Sequence, residues 1–295
     1  MTYPLDLMAF YLALLVWLAL LALGFKQHRY SAFLWFGVVL LVALNGRYAL
    51  EGASKSIAFF VGIYDVLHNL GVANQSAQGA LVPCAAGQAC SAWGQTFQNH
   101  PSWGVAFYER FADGNQTRTY KLYGHIFFIS LAFVLMMVQI FRPGSGSKPA
   151  QHRVLGYVSL ISLVLGVFCA CWLAAEHGSV AHYGGSLSMW GFFFMATCVL
   201  SCAVMGLVKI KQRDFDGHRT WMFRYAGSMW GSFWLFRVME FVVGPMLRSY
   251  DTASILLCIW ASAPLGILIA EVIRRRSAKN ARQRIGTASG YAVNA

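Results

Sequence analysis

The chain has 295 residues, of which 58% are hydrophobic and 12% charged, with a mean hydropathy of +0.53. A soluble domain carries about 25% charge, so the composition excludes a water-facing surface and predicts an all-α integral membrane protein. The net charge of +12 would suggest nucleic acid in a soluble protein. Here the basic residues cluster between apolar segments, without basic and aromatic residues interleaved, so orientation in a bilayer accounts for them and no nucleic-acid partner is expected.

A bilayer core of ~30 Å needs about 20 apolar residues in a helix. The first such run is Asp6 to Leu23. It opens Met1-Thr-Tyr-Pro-Leu-Asp6 without the positive charge of a signal peptide. Lys26 and Arg29 follow it, which predicts an outside N-terminus and a cytoplasmic 25–30 linker. The second span runs from about Ser31 to Leu44, and to Leu50 if Arg47 snorkels. Residues 46–119 then read as one long external loop. Within it Ile57 to Leu70 is too short and too polar at its end to cross, and reads as an interfacial helix. Cys84 and Cys90 lie six residues apart in the polar part of this loop. A disulfide suits an oxidising compartment, and their spacing matches no common zinc pattern. Cys169, Cys171, Cys198, Cys202 and Cys258 lie in apolar segments as small hydrophobic residues.

Five further spans are expected: Tyr120–Phe141, Val154–Ala175, Tyr183–Val208, Thr220–Val243 and Thr252–Ile273, the last carrying Pro264. The expected layout is two N-terminal helices over 1–50, an external segment over 51–119, a four-helix core over 120–243, a seventh helix over 244–276, and a basic cytoplasmic tail over 277–295, frayed beyond its first turn. The charges agree with seven spans and an outside N-terminus. Lys26, Arg29, Arg142, Lys148, Arg153, Lys209, Lys211, Arg213, Arg219 and the six basic residues from Arg274 to Arg284 place fifteen of the 23 basic residues on one side. The short connections opposite, 176–182 and 244–251, hold only Arg248. This asymmetry follows the positive-inside rule and puts Cys84 and Cys90 outside.

Four successive apolar segments each begin with a histidine: His125 in Tyr123-Gly124-His125, His152 before Arg153, His182 in Ala181-His182-Tyr183, and His218 before Arg219. In the expected topology His125 and His182 share the outer side, with His177 as an alternative to His182, while His152 and His218 share the inner side. Two neutral imidazoles on facing helices are what a b-type haem requires. Each pair would then bring its ring nitrogens to ~4 Å, twice a metal–nitrogen bond of ~2 Å. A histidine at a helix N-terminus is held neutral by the dipole. Gly124, Gly156, Gly184, Gly185, Gly191, Gly227 and Gly231 would make room for a flat cofactor. The plainer account of the same histidines is a half-wet place at the membrane interface.

The repeated His-Arg dipeptide puts Arg153 and Arg219 at two helix starts, an arrangement that suits an anion such as a haem propionate, a lipid phosphate or an acidic partner. Simple positive-inside anchoring explains them equally. Ionisable residues inside a span are functional by default. Arg224, Arg237 and Glu240 fall in the sixth span, where Arg237 and Glu240 share a face. With Trp230 and Trp234, and with Glu176 near His177, they outline an outer pocket for a quinol or polar reductant.

At residues 123–237 the chain resembles predicted bacterial membrane proteins called domain of unknown function 2306. The resemblance is carried by His152-Arg153-Val-Leu-Gly156, by the small-residue segment Gly184 to Gly191, and by Asp216-Gly-His218-Arg219-Thr-Trp221-Met222-Phe-Arg224 with Arg237 downstream. It implies a helical membrane bundle in a bacterial inner membrane and no activity. In Tyr123-Gly-His125 with Gln139, and His152 with Gly156, the chain is more weakly similar to ascorbate-oxidising dihaem b-type cytochromes. Those carry one histidine on each of four consecutive helices. The spacings here are shorter, and no ascorbate-site motif matches. The expected function is a membrane redox protein using haem b to pass electrons between a quinone or small reductant and an acceptor. The alternative is a cofactor-free membrane protein that binds a lipid or another membrane protein through its external loop and His-Arg sites. Whether it is an enzyme stays open.

Overall fold

The computed structural model describes residues 5–27, 29–52, 56, 59, 115–141, 149–177, 185–239 and 251–293. Among them every regular element is helical: α1 (Leu5–Gln27), α2 (Ser31–Glu51), α3 (Gln116–Phe141), α4 (Pro149–His177), α5 (Gly185–Lys211), α6 (Phe215–Trp230) followed by a π-helical turn Gly231–Leu235, and α7 (Asp251–Val293). The Cys84–Cys90 pair, the expected 57–70 helix apart from Phe59, His182, Gly184 and Glu240 lie outside the described residues.

Six described helices are long and apolar enough to cross a membrane: α1 to α5, and Ile255–Arg276 within α7. Even the shortest, the 21-residue α2, reaches ~31 Å at ~1.5 Å per residue, matching a ~30 Å core. The expected sixth span over 220–243 is not among these helices. Its α-helical part is 16 residues long, about 24 Å, before the backbone widens into the π turn and resumes over 236–239. The span also carries Arg224 and Arg237, which lower its apolarity. The tail, expected to fray beyond its first turn, instead stays helical, because α7 runs to Val293. Its Ala, Arg, Lys and Gln content favours that conformation.

The chain divides into two units, Met1–Met189 with Phe241–Ile255, and Trp190–Glu240 with Leu256–Ala295. In the first, α1 to α4 run up and down. The Trp17 ring stacks on Phe33 at 5.0 Å and its indole N–H donates to the Phe33 carbonyl at 2.9 Å. At the other end of α1 and α2, Arg47 binds Asp6 at 2.9 Å and Glu51 at 2.6 Å, under the Phe59 ring. The α2–α3 seam holds an amide-to-hydroxyl bond from Asn45 to Ser130 at 2.7 Å. Such a bond between membrane helices contributes about 0.6 kcal/mol. Along α3 and α4, Gly124 lies against Cys169, Ile129 against Gly166, the Ala132 carbonyl against the Ser159 hydroxyl at 3.0 Å, and Gln139 against Gly156. Each step up one helix is a step down the other, so the pair is antiparallel.

In the second unit small residues bring α6 and α7 into backbone contact. A Cβ on Gly227 would lie 2.5 Å from the Gly266 carbonyl oxygen and 2.5 Å from the Ala270 methyl; one on Gly231 would collide with the Ser262 carbonyl. Gly227-x-x-x-Gly231 thus meets the spacing Ser262, Gly266, Ala270, the small-residue seam by which membrane helices approach closely. The closest approach coincides with two irregularities, the π turn that starts at Gly231 and Pro264 inside α7. Trp260 stacks on Phe194 at 5.2 Å and fills the space beside Gly191.

Candidate functional site

Two of the four candidate histidines make the same contact in different units. His125 Nδ1 lies 2.9 Å from the Gly166 carbonyl oxygen, across the α3–α4 seam. His218 Nδ1 lies 2.8 Å from the Gly206 carbonyl oxygen, across the α5–α6 seam. In both, the residue four positions on packs against the same glycine. Ile129 would be 2.6 Å from a Cβ on Gly166, and the Met222 sulfur 2.8 Å from one on Gly206. One helical turn therefore supplies both the imidazole and the side chain that replaces the missing Cβ of the partner helix. A carbonyl oxygen only accepts, so each Nδ1 must donate, and a neutral ring then carries its lone pair on Nε2. A carbonyl-held Nδ1–H is also how proteins orient imidazoles that ligate metals.

The helix starts alter the dipole argument for one histidine. α3 begins at Gln116, so His125 sits more than two turns inside it, beyond the first-turn reach of the dipole. The Gly166 carbonyl fixes its Nδ1 as a donor instead. His152 is the fourth residue of α4, which opens on Pro149, a residue suited to the first helical position. His218 is the fourth residue of α6, so both lie in first turns. Arg153 and Arg219 beside them are exposed.

The start of α6 is fixed by Asp214. Arg213 turns the chain out of α5 in the left-handed region, φ 60°. The Asp214 carboxylate then accepts from the Gly217 N–H at 2.8 Å and pairs with Lys209 at 3.1 Å, while its carbonyl accepts from the His218 N–H at 2.9 Å. The Gly217 N–H and then Lys209 hold the Asp214 carboxyl below its usual value. A depressed folded pKa gives stability that is present above the unfolded value and is lost as pH falls through the folded one. Asp214→Asn is therefore expected to destabilise the protein at neutral pH and to flatten the acid side of its stability profile, read by thermal unfolding across pH in detergent. An unchanged acid limb would remove this role from Asp214. Gly217 leaves no room for a Cβ beside that carboxylate.

The charged residues have partners within their own units. Glu176, expected in an outer pocket, is held on α4 by Arg118 at 3.0 Å and Lys121 at 2.6 Å from α3, with Lys121 over the Trp172 ring. Arg237 Nη1 donates to the Phe233 carbonyl of its own helix at 2.7 Å. Trp234 is buried in the π turn. Arg224, seen from the sequence only as an ionisable residue in a span, pairs with Glu271 of α7 at 3.2 Å. Glu271 was missed, although a carboxylate just before a basic run inside an apolar span is a legible signal.

The glycines expected to make room for a flat cofactor have other neighbours. Gly124 faces Cys169, Gly191 is filled by Ile259 and Trp260, and Gly227 and Gly231 are closed by the α7 backbone. They serve helix approach. A Cβ on Gly185 would meet nothing, but Gly185 has φ 53°, so its role is in the turn that opens α5. Among the described residues no three His, Cys, Asp or Glu side chains gather to hold a bare metal ion. A haem iron, held by its macrocycle, takes only one or two protein ligands.

The family described as "Predicted membrane protein (DUF2306)" matches residues 122–273. No curated protein and no solved structure matches the chain. The matched stretch takes in α3 from Leu122, the described parts of α4 to α6 with both histidine–glycine contacts, and α7 as far as its basic end. It covers half of the 295 residues, and the chain belongs to this family of predicted membrane proteins.

Proposed function

We propose that the chain is a membrane redox protein that binds b-type haem through histidines of its membrane helices and moves electrons between a quinone or small reductant and an acceptor. The observation that carries this reading is the shared anchoring of His125 and His218. Each ring is fixed by its Nδ1–H on a partner-helix carbonyl, which sets the neutral tautomer with the lone pair on Nε2 and fits the donor a haem iron takes. His125 with His182, and His152 with His218, are the residues that would hold it. Bound haem would supply one-electron chemistry at iron. The chain's part is to fix the tautomers, exclude water with its apolar helices, and offer Arg153 and Arg219 to the propionates. Trp234 and Arg237 at the π turn, with Glu240, form the proposed reductant pocket, because π turns frequently mark functional sites.

The reading includes seven spans, with α6 and its π turn crossing, an outside N-terminus, and a bacterial inner membrane. Accessibility tags in intact cells are expected to place residue 295 inside and residues 84–90 outside, where Cys84 and Cys90 would be linked. A shielded 84–90 loop overturns the orientation. The deciding experiment for function is a visible spectrum of purified protein before and after dithionite. Reduced b-type bands are expected, and their absence from protein made with ample haem overturns the redox reading. One observation favours the cofactor-free alternative. The glycines of the α6–α7 seam are filled by helix backbone, and the same histidine contacts would serve to clamp helix pairs.

A further inference from the structure

Four charged side chains meet at the end of α7 where the apolar window Ile255–Arg276 gives way to the basic tail. Glu271, 13% exposed, is the only acid among them. One carboxylate oxygen accepts from Arg224 Nε and Arg274 Nε, each at 3.2 Å; the other accepts from Arg274 Nη2 and Arg275 Nε, each at 2.7 Å. Three guanidinium groups on one carboxylate leave an excess of two positive charges. A basic excess at the membrane surface attracts anionic headgroups.

The geometry shows which anion fits. A guanidinium has five N–H donors: one on Nε and four on its two terminal nitrogens. Arg224 and Arg275 each reach Glu271 through Nε alone. Their terminal donors, the fork that grips a phosphate bidentately, are not used on Glu271. Glu271 therefore orients these arginines without consuming the edge that reads phosphate. The Trp221 ring, 4.6 Å from the Arg224 guanidinium carbon, holds that group by a cation–π contact and is a residue type enriched at the membrane surface. The flanks are apolar and open: Leu268, Ile269, Val272 and Ile273 on α7 and Phe223 on α6 are all exposed. Free phosphate would leave those flanks bare, whereas acyl chains cover them.

We propose that Arg224, Arg274 and Arg275, gathered on Glu271, form a binding site for the headgroup phosphate of an anionic phospholipid. The site uses none of the histidines and does not depend on haem. Basic pockets between membrane helices bind anionic headgroups by this chemistry, each arginine contributing roughly a fivefold gain in affinity.

The test uses the full-length chain in a neutral detergent, titrated with phosphatidylglycerol, with phosphatidylcholine of the same acyl chains, and with inorganic phosphate. Binding is followed by native mass spectrometry and by the thermal midpoint. Phosphatidylglycerol is expected to bind and to raise the midpoint, with phosphatidylcholine weaker and phosphate without effect. Arg275→Gln removes an arginine whose side chain is 74% exposed, so folding should survive. It is expected to weaken phosphatidylglycerol about fivefold, and Arg224→Gln likewise. Arg213→Gln, on the exposed turn after α5, should bind as wild type. If Arg224→Gln does not fold, Arg275→Gln carries the test alone. Equal effects of the two lipids, or undiminished phosphatidylglycerol binding by Arg275→Gln, overturn the proposal. Stabilisation by phosphate equal to that by lipid would make this a free-anion site and overturn it as well.

Discussion

Gly231→Ala is expected to destabilise the protein by about 3 kcal/mol, the upper part of the usual range for overpacking. A Cβ there collides with the Ser262 carbonyl and comes within 3.2 Å of the Ala263 Cα. Both are backbone of α7, so no side chain can rotate away and the helices must separate. Gly227→Ala meets the Gly266 carbonyl and the Ala270 methyl and should act the same way. Moving α7 would also pull Glu271 from Arg224. Gly46→Ala is the matched control. Nothing lies within 4 Å of its Cβ position in α2, and alanine is the better helix former by about 1 kcal/mol. Thermal unfolding in detergent should therefore show a large drop for the seam glycines and none for Gly46. A mild effect at Gly231 would mean that the α6–α7 contact is looser than described.

His218→Ala is expected to abolish one haem's share of the reduced absorption spectrum, with His152→Ala removing the same share and His125→Ala the other. Losing either axial ligand disables that centre. The magnitudes separate this from unfolding. The bond from His218 to the Gly206 carbonyl is one interhelical hydrogen bond, worth about 0.6 kcal/mol, too little to unfold the chain. His125→Asn and His218→Asn sharpen the distinction. An asparagine amide still offers an N–H toward the carbonyl but gives iron no imidazole, so fold should persist while the spectrum is lost. If the alanine variants keep the full spectrum, these histidines only clamp helices and do not hold the haem.

The sequence determined by itself that the chain is a bundle of membrane helices. Composition and run length are sums over residues, and a helix in lipid satisfies its own backbone hydrogen bonds, so α1 to α5 and the apolar window of α7 were legible within a few residues. The run over 220–243 was harder to read. Its π turn arises where Gly231 meets the α7 backbone, and no local pattern carries that. The histidines were visible as residues, but their partners were not. The Gly166 and Gly206 carbonyls lie 41 and 12 positions away, and a backbone acceptor leaves no mark in the sequence. Gly124, Gly191, Gly227 and Gly231, read as room for a cofactor, proved to be filled by neighbouring helices, because a missing side chain is equally compatible with a cavity and with close contact. Glu271 was on the page from the start, yet only the antiparallel packing of α6 on α7 brings Arg224 to it. Local chemistry fixes which segments become helices; which faces meet, and so which charges and carbonyls find each other, is decided by contacts distant in sequence.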